Sequence, residues 1–503
     1  MRIIASILTG LLLIGTHPDG GKEKNARLYV SNYENVLGTS LEFKFTSTSE
    51  AEAEKAEQAA LREIDRLSAI FSAYDTNSEF NSWMKKELNT PIKVSNELFT
   101  MLQLFEQWKK RTNGALDASA AVANSLWKEA AKNQKLPTTA EIDAAVSTIK
   151  QMHYQLNEKN LTASRTSYAP LVMNTFAKSY IINSACEAAL AASDVSAAIV
   201  NIGGDLVIKG DVNELVRVTN PLANAENDVP LDQLVIHNMA VATSGNYRRG
   251  EQIGKKWYSH IIDPRTAKPV DAIISATVIA PKATDAGALA TAFNVLSVSE
   301  SKALAETVKD AEYLIITSSG KRVESKGWAK LVDPLHKEIN KAEHATAYST
   351  EKLWDAKHEL LITFELNAIS GNTHRPFAAI WVENEKKQAI RNLALWYNKT
   401  KWIPDLRNWY RINGESFKAD KDSYASVTGA TRSPGKYTIK WDGKDDKGNY
   451  VPQGNYTILI ESAKEHGTDE IIRQPMELKK ALKKVTNAGN VEISNVTFEF
   501  RKK

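Results

Sequence analysis

Few side chains in this sequence stand in a pattern that chemistry would need. His260, inside WYSHIIDPRT at 257–266, is one imidazole in a strand-like run. It could move a proton, or equally be a hydrogen-bonded structural histidine. Gly203-Gly204 sits between two apolar runs and makes a tight turn, where backbone N–H groups could approach a phosphate. Near the C-terminal end, SVTGATR at 426–432 sets two threonine hydroxyls around a Gly-Ala pair, just before a strand-like run. The acids of WDGKDDKG, Asp442, Asp445 and Asp446, miss the spacing of a calcium loop and read as a hairpin turn. The nine histidines are scattered, and CxxC, HExxH, Walker and G-x-S-x-G patterns are missing.

The elements that must hold these residues are legible from periodicity. Ala60, Leu61, Ile64, Leu67 and Phe71 recur at helical spacing, predicting a helix over 50–74 with Ser49 and Glu52 as its capping box. Leu98, Leu102 and Phe105 predict a second helix over 96–112, stopped by Asn113-Gly114. Residues 197–210 read as strand, glycine turn, strand; residues 274–281 as a strand ended by proline; residues 286–296 as a helix. Such a mixture predicts an α+β domain over 28–330. A charged stretch at 331–354 reads as the linker. Beyond it Ile362, Phe364 and Leu366, then Tyr437, Ile439 and Trp441, then Tyr456, Ile458 and Ile460 alternate with polar neighbours. That period of two, broken by turn clusters, predicts an all-β sandwich-like domain over 355–503.

Composition narrows the class. With 503 residues, 43% hydrophobic and 25% charged, the chain is long enough for two or three domains with real cores. Its 64 basic and 60 acidic residues leave +4, too balanced for a nucleic-acid partner. The N-terminal MRIIASILTGLLLIGT reads as a secretory signal peptide over about residues 1–20, which predicts a periplasmic protein. Elsewhere the apolar runs are too short for a membrane span in the mature chain. Cys186 is the lone cysteine, so an intrachain disulfide is excluded.

Taken together, FSAYDTNSEF (71–80), TNGALD (112–117), FAKSY (176–180), VNIGGD (200–205), AVATSGNYRR (240–249), WYSHIIDPRT (257–266), TVIAP (277–281) and ALATAF (288–293) closely resemble the FAD:protein FMN transferase (ApbE) family. The resemblance implies an enzyme that splits FAD with Mg²⁺, passes FMN to a protein threonine and releases AMP. It implies that Tyr74, Ala115, Leu116 and Asp117 line the flavin pocket, that Lys178 contacts the cofactor, and that Gly203 and Gly204 let backbone approach it. His260 would act beside the acceptor hydroxyl, and Thr291 would be a metal ligand. Departures from the family pattern fall on the same segments. Gly287 stands four residues before Thr291, where the family carries an Asp; Asp285 is the nearest acid. Val172, Asn174, Thr175 and Ser179 replace an acid, a glycine pair and another glycine, and Leu37-Gly38-Thr39 replaces Met-Gly-Thr. The metal set to be tested is therefore Thr291, Asp285 and Thr175.

In NLALWYNK (392–399), SVTGATRSPGKYTIKWDG (426–443) and VPQGNYTILIESAKEHG (451–467), the second half, over about 355–470, is similar to an uncharacterised exported β-domain family found beside these transferases, and its W-D-G turn and Gly-x-Tyr strand start resemble immunoglobulin-like modules. By the same resemblance, the T-G-A-T at 428–431 matches the end of a flavin-acceptor motif, with FMN covalently attached at Thr431. Three readings follow. One is a working transferase serving its own second domain or other exported acceptor proteins. Another is a disabled flavin-binding scaffold fused to a redox module that another enzyme flavinylates. The third is a purely structural exported module with no flavin.

Overall fold

The computed structural model describes residues 26–247, 249–334, 352–368, 375–420, 422–424, 426–464, 469–479 and 484–503. The expected signal peptide and most of the expected linker lie outside the described residues.

Eight antiparallel strands make the central sheet of the first domain, and their spatial order follows the chain. They are β1 (Arg27–Val36), β2 (Thr39–Ser47), β3 (Ala197–Ile202), β4 (Asp205–Gly210), β5 (Ala240–Gly245), β6 (Ile273–Ala280), β7 (Glu312–Thr317) and β8 (Arg322–Glu324). Alternation along the strands gives the sheet two apolar faces. In β3, Ala198, Val200 and Ile202 join the helical core, while Ile199 turns to the other side with Leu206, Ile208, Val241, Leu314 and Trp328.

Four helices of the helical side matter for the site: α1 (Glu50–Phe71), α2 (Asn96–Arg111), α3 (Asn174–Ala192) and α4 (Ala283–Val295). Helix α1 forms where its apolar stripe predicts, and Ala60, Ile64, Leu67 and Phe71 are buried. Its capping box does not form. Ser49 makes no side-chain cap bond, and Glu52 instead accepts from the Asp194 backbone N–H at 3.0 Å and from Lys55. Helix α2 ends as expected, Asn113 and Gly114 both taking positive φ. Helix α4 begins three residues before the expected Ala286, with Lys282 at its N-cap, so Asp285 lies inside the first turn. Nearly every face of α4 is buried, which its run of alanines permits.

The second domain is a sandwich of two sheets. Its strands are β9 (His358–Leu366), β10 (Phe377–Glu383), β11 (Ala389–Trp396), β12 (Thr428–Gly429), β13 (Gly435–Trp441), β14 (Gly454–Ala463), β15 (Asp469–Leu478), β16 (Val485–Gly489) and β17 (Ile493–Lys502). One sheet runs β13-β9-β17-β16, the other β12-β11-β10-β14-β15. Ile362, Phe364, Ile439, Trp441, Ile458 and Ile460 fill the space between them, as their alternation predicts. WDGKDDKG makes a tight turn closed by a Lys444–Tyr450 bridge, with Asp445 accepting from the N–H groups of Lys447 and Asn449. One helix, α5 (Arg407–Ala419), was not legible as such. It packs Trp409 and Phe417 on the outer face of the second sheet, and the buried Glu461 carboxylate accepts from the N–H groups of Asn408 and Trp409 at its start.

The two domains touch along two sheet edges. At β1, the Asn32 N–H donates to the Asn398 carbonyl at 2.8 Å, Lys399 reaches Glu57 at 3.1 Å, and Arg375 pairs with Glu34. At β13, Glu226 N–H donates to the Thr438 carbonyl, and Asn227 both donates to and accepts from the Lys440 backbone, each bond at 2.8 Å.

Candidate active site

The β3–β4 turn brings the first group together. Gly203 has φ +59, and a Cβ there would lie 2.7 Å from Thr39 Cγ2, so close packing as well as backbone conformation demands glycine. The turn leads into Asp205, which is 8% exposed and ties three elements. Its carboxylate accepts from Lys178 Nζ on α3 at 2.5 Å and from the Thr243 N–H on β5 at 3.0 Å. Thr243 in turn shares a 2.9 Å hydroxyl bond with Thr277 on β6. Lys178 is thereby held at the glycine turn by a partner that sequence reasoning left without a role. An acid directly after a glycine pair was the signal.

The second group is the loop after α2. Ala115 and Leu116 are buried at 2% and 3% exposure, and Asp117 pairs with Lys109 at 2.6 Å while accepting from Ser119 N–H and Oγ. Asp117 therefore holds its own loop together. That loop touches both remaining segments: Ala118 C=O accepts from Val172 N–H just before α3, and Gly114 lies against Arg265 of the DPRT turn. Tyr74 stands apart at 86% exposure, on a loop pinned by Ser72 Oγ.

His260 follows the strand Lys256–Ser259, its ring exposed. Nδ1 lies 2.9 Å from the Arg249 carbonyl, which can only accept, so Nδ1 carries the proton and Nε2 is left with its lone pair. Protein packed round the imidazole pushes its pKa below the usual histidine value, against the pull of the Arg249 carbonyl. A neutral ring with a free lone pair on Nε2 can accept a hydroxyl proton.

The position expected to hold Mg²⁺ is different. Thr175 and Ser179, one turn apart on α3, face Gly287 of α4. A Cβ at 287 would lie 2.4 Å from Ser179 Oγ and 3.3 Å from the Thr175 carbonyl oxygen. The Ser179 hydroxyl thus fills the volume into which any side chain at 287 would project. Thr291 is one turn further along α4, on the same face. Asp285 is not: six residues place it about 9 Å along the helix and roughly 120° round from Thr291. Its nearest charges are Lys282 and Arg111, and burial raises its pKa above the ordinary aspartate value despite them. A carbonyl and a hydroxyl remain where Mg²⁺ wants a carboxylate, so these residues do not fit the ion. Among the described residues no group of three or more His, Cys, Asp or Glu could hold a metal.

A family model described as "ApbE family" matches residues 37–315. The chain belongs to the ApbE family. The ApbE domain is 29% identical over 299 residues to the FAD:protein FMN transferase of Haemophilus influenzae, covering 56% of this chain and 84% of that protein. It is 26% identical over 268 residues to the Escherichia coli K12 protein of the same name, covering 50% and 74%. In fold it is similar to the ApbE protein of Thermotoga maritima (TM-score 0.55, 24% identity, 61% of this chain and all of that one). The flavin transferase ApbE of Vibrio cholerae is similar too (TM-score 0.51, 22% identity, 61% of this chain and all of that one). A second model, described as "Predicted periplasmic protein (DUF2271)", matches residues 359–495, in the sandwich.

The proposed acceptor of that second domain lies beside the short edge strand β12. Thr431 is 3% exposed, and its Oγ1 is buried without a hydrogen-bond partner among the described residues. Arg432 next to it stacks on Trp396, 4.9 Å from the ring centroid, and lies 3.8 Å from Glu226 of the ApbE domain.

Proposed function

We propose that this is an exported flavin protein in which the ApbE domain holds flavin nucleotide without Mg²⁺-assisted cleavage, and the sandwich is a redox module given FMN at Thr431 by a separate transferase. The observation that carries this is the Ser179 hydroxyl standing where a carboxylate at 287 would have to go. The flavin-side frame supports retained binding: the Gly203-Gly204 turn, the Lys178–Asp205 pair and the 115–117 loop form one connected set. Export is supported by the signal-like N-terminus and by the printed description of the second family as periplasmic. Among the described residues no helix is long and apolar enough to cross a membrane.

His260 favours a second reading, a surviving transferase moving FMN from FAD to a protein threonine with release of AMP. Its Nδ1–H is held by the Arg249 carbonyl, which leaves the Nε2 lone pair able to act as a base.

Purified mature protein, from a host without other flavin transferases, separates the two. Flavin fluorescence should show FAD bound with an affinity indifferent to Mg²⁺, chromatography should show no AMP, and the intact mass should stay constant. Mg²⁺-dependent AMP release would establish the second reading, and failure to bind FAD would sink both.

A further inference from the structure

Residues 426–432, between α5 and β13, are held from both domains. Within the sandwich β12 is two residues long, Val427 and Gly429 carbonyls accept from the N–H groups of Leu395 and Tyr397 at 2.8 and 3.0 Å, and Arg432 stacks on Trp396. The ApbE domain adds a tie at each end. Arg217 Nη1 donates to the Ser426 carbonyl at 2.9 Å, and Glu226 pairs with Arg432. Residues 226–228 then fix the neighbouring strand β13, with Asp228 meeting Lys440 Nζ at 2.8 Å. Between the ties sits the Thr431 hydroxyl, buried and, among the described residues, unpartnered. A polar group in that state opposes closure, and the ties from the ApbE domain act against that cost. A phosphodiester-linked FMN has no room on a hydroxyl that is 3% exposed.

We propose that the docked ApbE domain is a clamp on the acceptor segment, and that Thr431 becomes available only when residues 426–432 are released from Arg217 and Glu226. The proposal rests on the reading of Thr431 as the flavin acceptor. The step itself is a phosphoryl transfer. The Thr431 oxygen bonds to the FMN-side phosphorus of FAD, the bond from that phosphorus to the bridging oxygen breaks, AMP leaves with that oxygen, and the hydroxyl proton passes to a base of the separate transferase. No electrons are exchanged.

The test uses the full mature chain, wild type against Arg217→Ala/Glu226→Ala, with Asn227→Ala as a second variant that loosens the β13 contact without touching the acceptor segment. Deuterium uptake of the peptide spanning 426–432 is read first. Mass gain is then followed with FAD, Mg²⁺ and an active FAD:protein FMN transferase, with Thr431→Ala as control. The expected result is uptake faster by about tenfold or more in the double variant and FMN gain several-fold faster, both smaller in Asn227→Ala and gain lost in Thr431→Ala. Uptake unchanged in both variants, or wild type loaded as fast as the double variant, would overturn the clamp. Faster uptake with no FMN on any variant, while a flexible acceptor peptide is modified in the same tube, would overturn the acceptor reading and leave the clamp standing.

Discussion

At the scale of single residues, Ser179 Oγ occupies the space beside Gly287. Overpacking of an ordered helix contact costs about 1–3 kcal/mol. Gly287→Asp should therefore destabilise the chain by that order in urea unfolding, since its Cβ meets Ser179 Oγ at 2.4 Å. Adding Ser179→Gly should recover most of the loss, and only the double variant should gain thermal stability from Mn²⁺ or Mg²⁺. Equal behaviour of the single and double variants would refute the coupling. His260 gives a second expectation. Its pKa lies below the usual histidine value because neighbouring protein disfavours the charged ring, so it stays neutral through pH 7. Nitrogen-15 NMR should report the Nδ1–H tautomer; the Nε2–H form would contradict the assignment to Arg249.

At the scale of elements, the Asp205 carboxylate joins the glycine turn to α3 and β5. Asp205→Asn leaves Lys178 without its partner, and a broken, largely buried pair costs about 3–5 kcal/mol. We expect a loss toward the low end, because Lys178 keeps partial solvent access, and weaker FAD binding in parallel. Stability lost with affinity intact would make the pair structural alone. Much of this level was legible in advance. The stripe of α1, the Asn113-Gly114 stop and the alternation of Ile362, Phe364 and Leu366 are local signals that the fold obeys. The misses have local causes too. Ser49 lost its capping box because Glu52 was taken by Asp194, a partner far away in sequence. Helix α4 starts early because burial by β5 and β6, rather than a cap, sets its first turn, and that carries Asp285 off the Thr291 face. Helix α5 is anchored by Glu461, a carboxylate from a distant strand. At the site, the series of motifs revealed the family, and the Gly287 departure was plain; that Ser179 fills the gap required α3 and α4 in contact.

At the scale of the whole molecule, the docked arrangement should respond to pH through Glu34. Burial between the domains raises its pKa from 4.5 to about 7, outweighing the attraction of Arg375 and, more weakly, of Arg432. A docked carboxyl that holds its proton more tightly than a freed one favours docking most below its free value. That contribution declines as pH rises from 4.5 through about 7 and is flat above. Deuterium uptake in β1 and at residues 375–383, taken relative to the intrinsic exchange rate at each pH, should therefore increase across that interval, and Glu34→Gln should flatten the response. An increase on acidification instead would mean that the ion pair with Arg375 governs the interface.

The β13 edge has one more consequence, for life at high concentration. An outermost strand with free N–H and C=O groups invites other chains to add to the sheet. Glu226 donates its N–H to the Thr438 carbonyl and Asn227 offers its side-chain amide to the Lys440 backbone, so the ApbE domain supplies a two-residue stand-in for the missing next strand. Wherever the two domains part, that edge is bare and the partner most abundantly at hand is another copy of the same sandwich. Opening the molecule and keeping it solitary are thus opposed demands on the same three residues, 226–228.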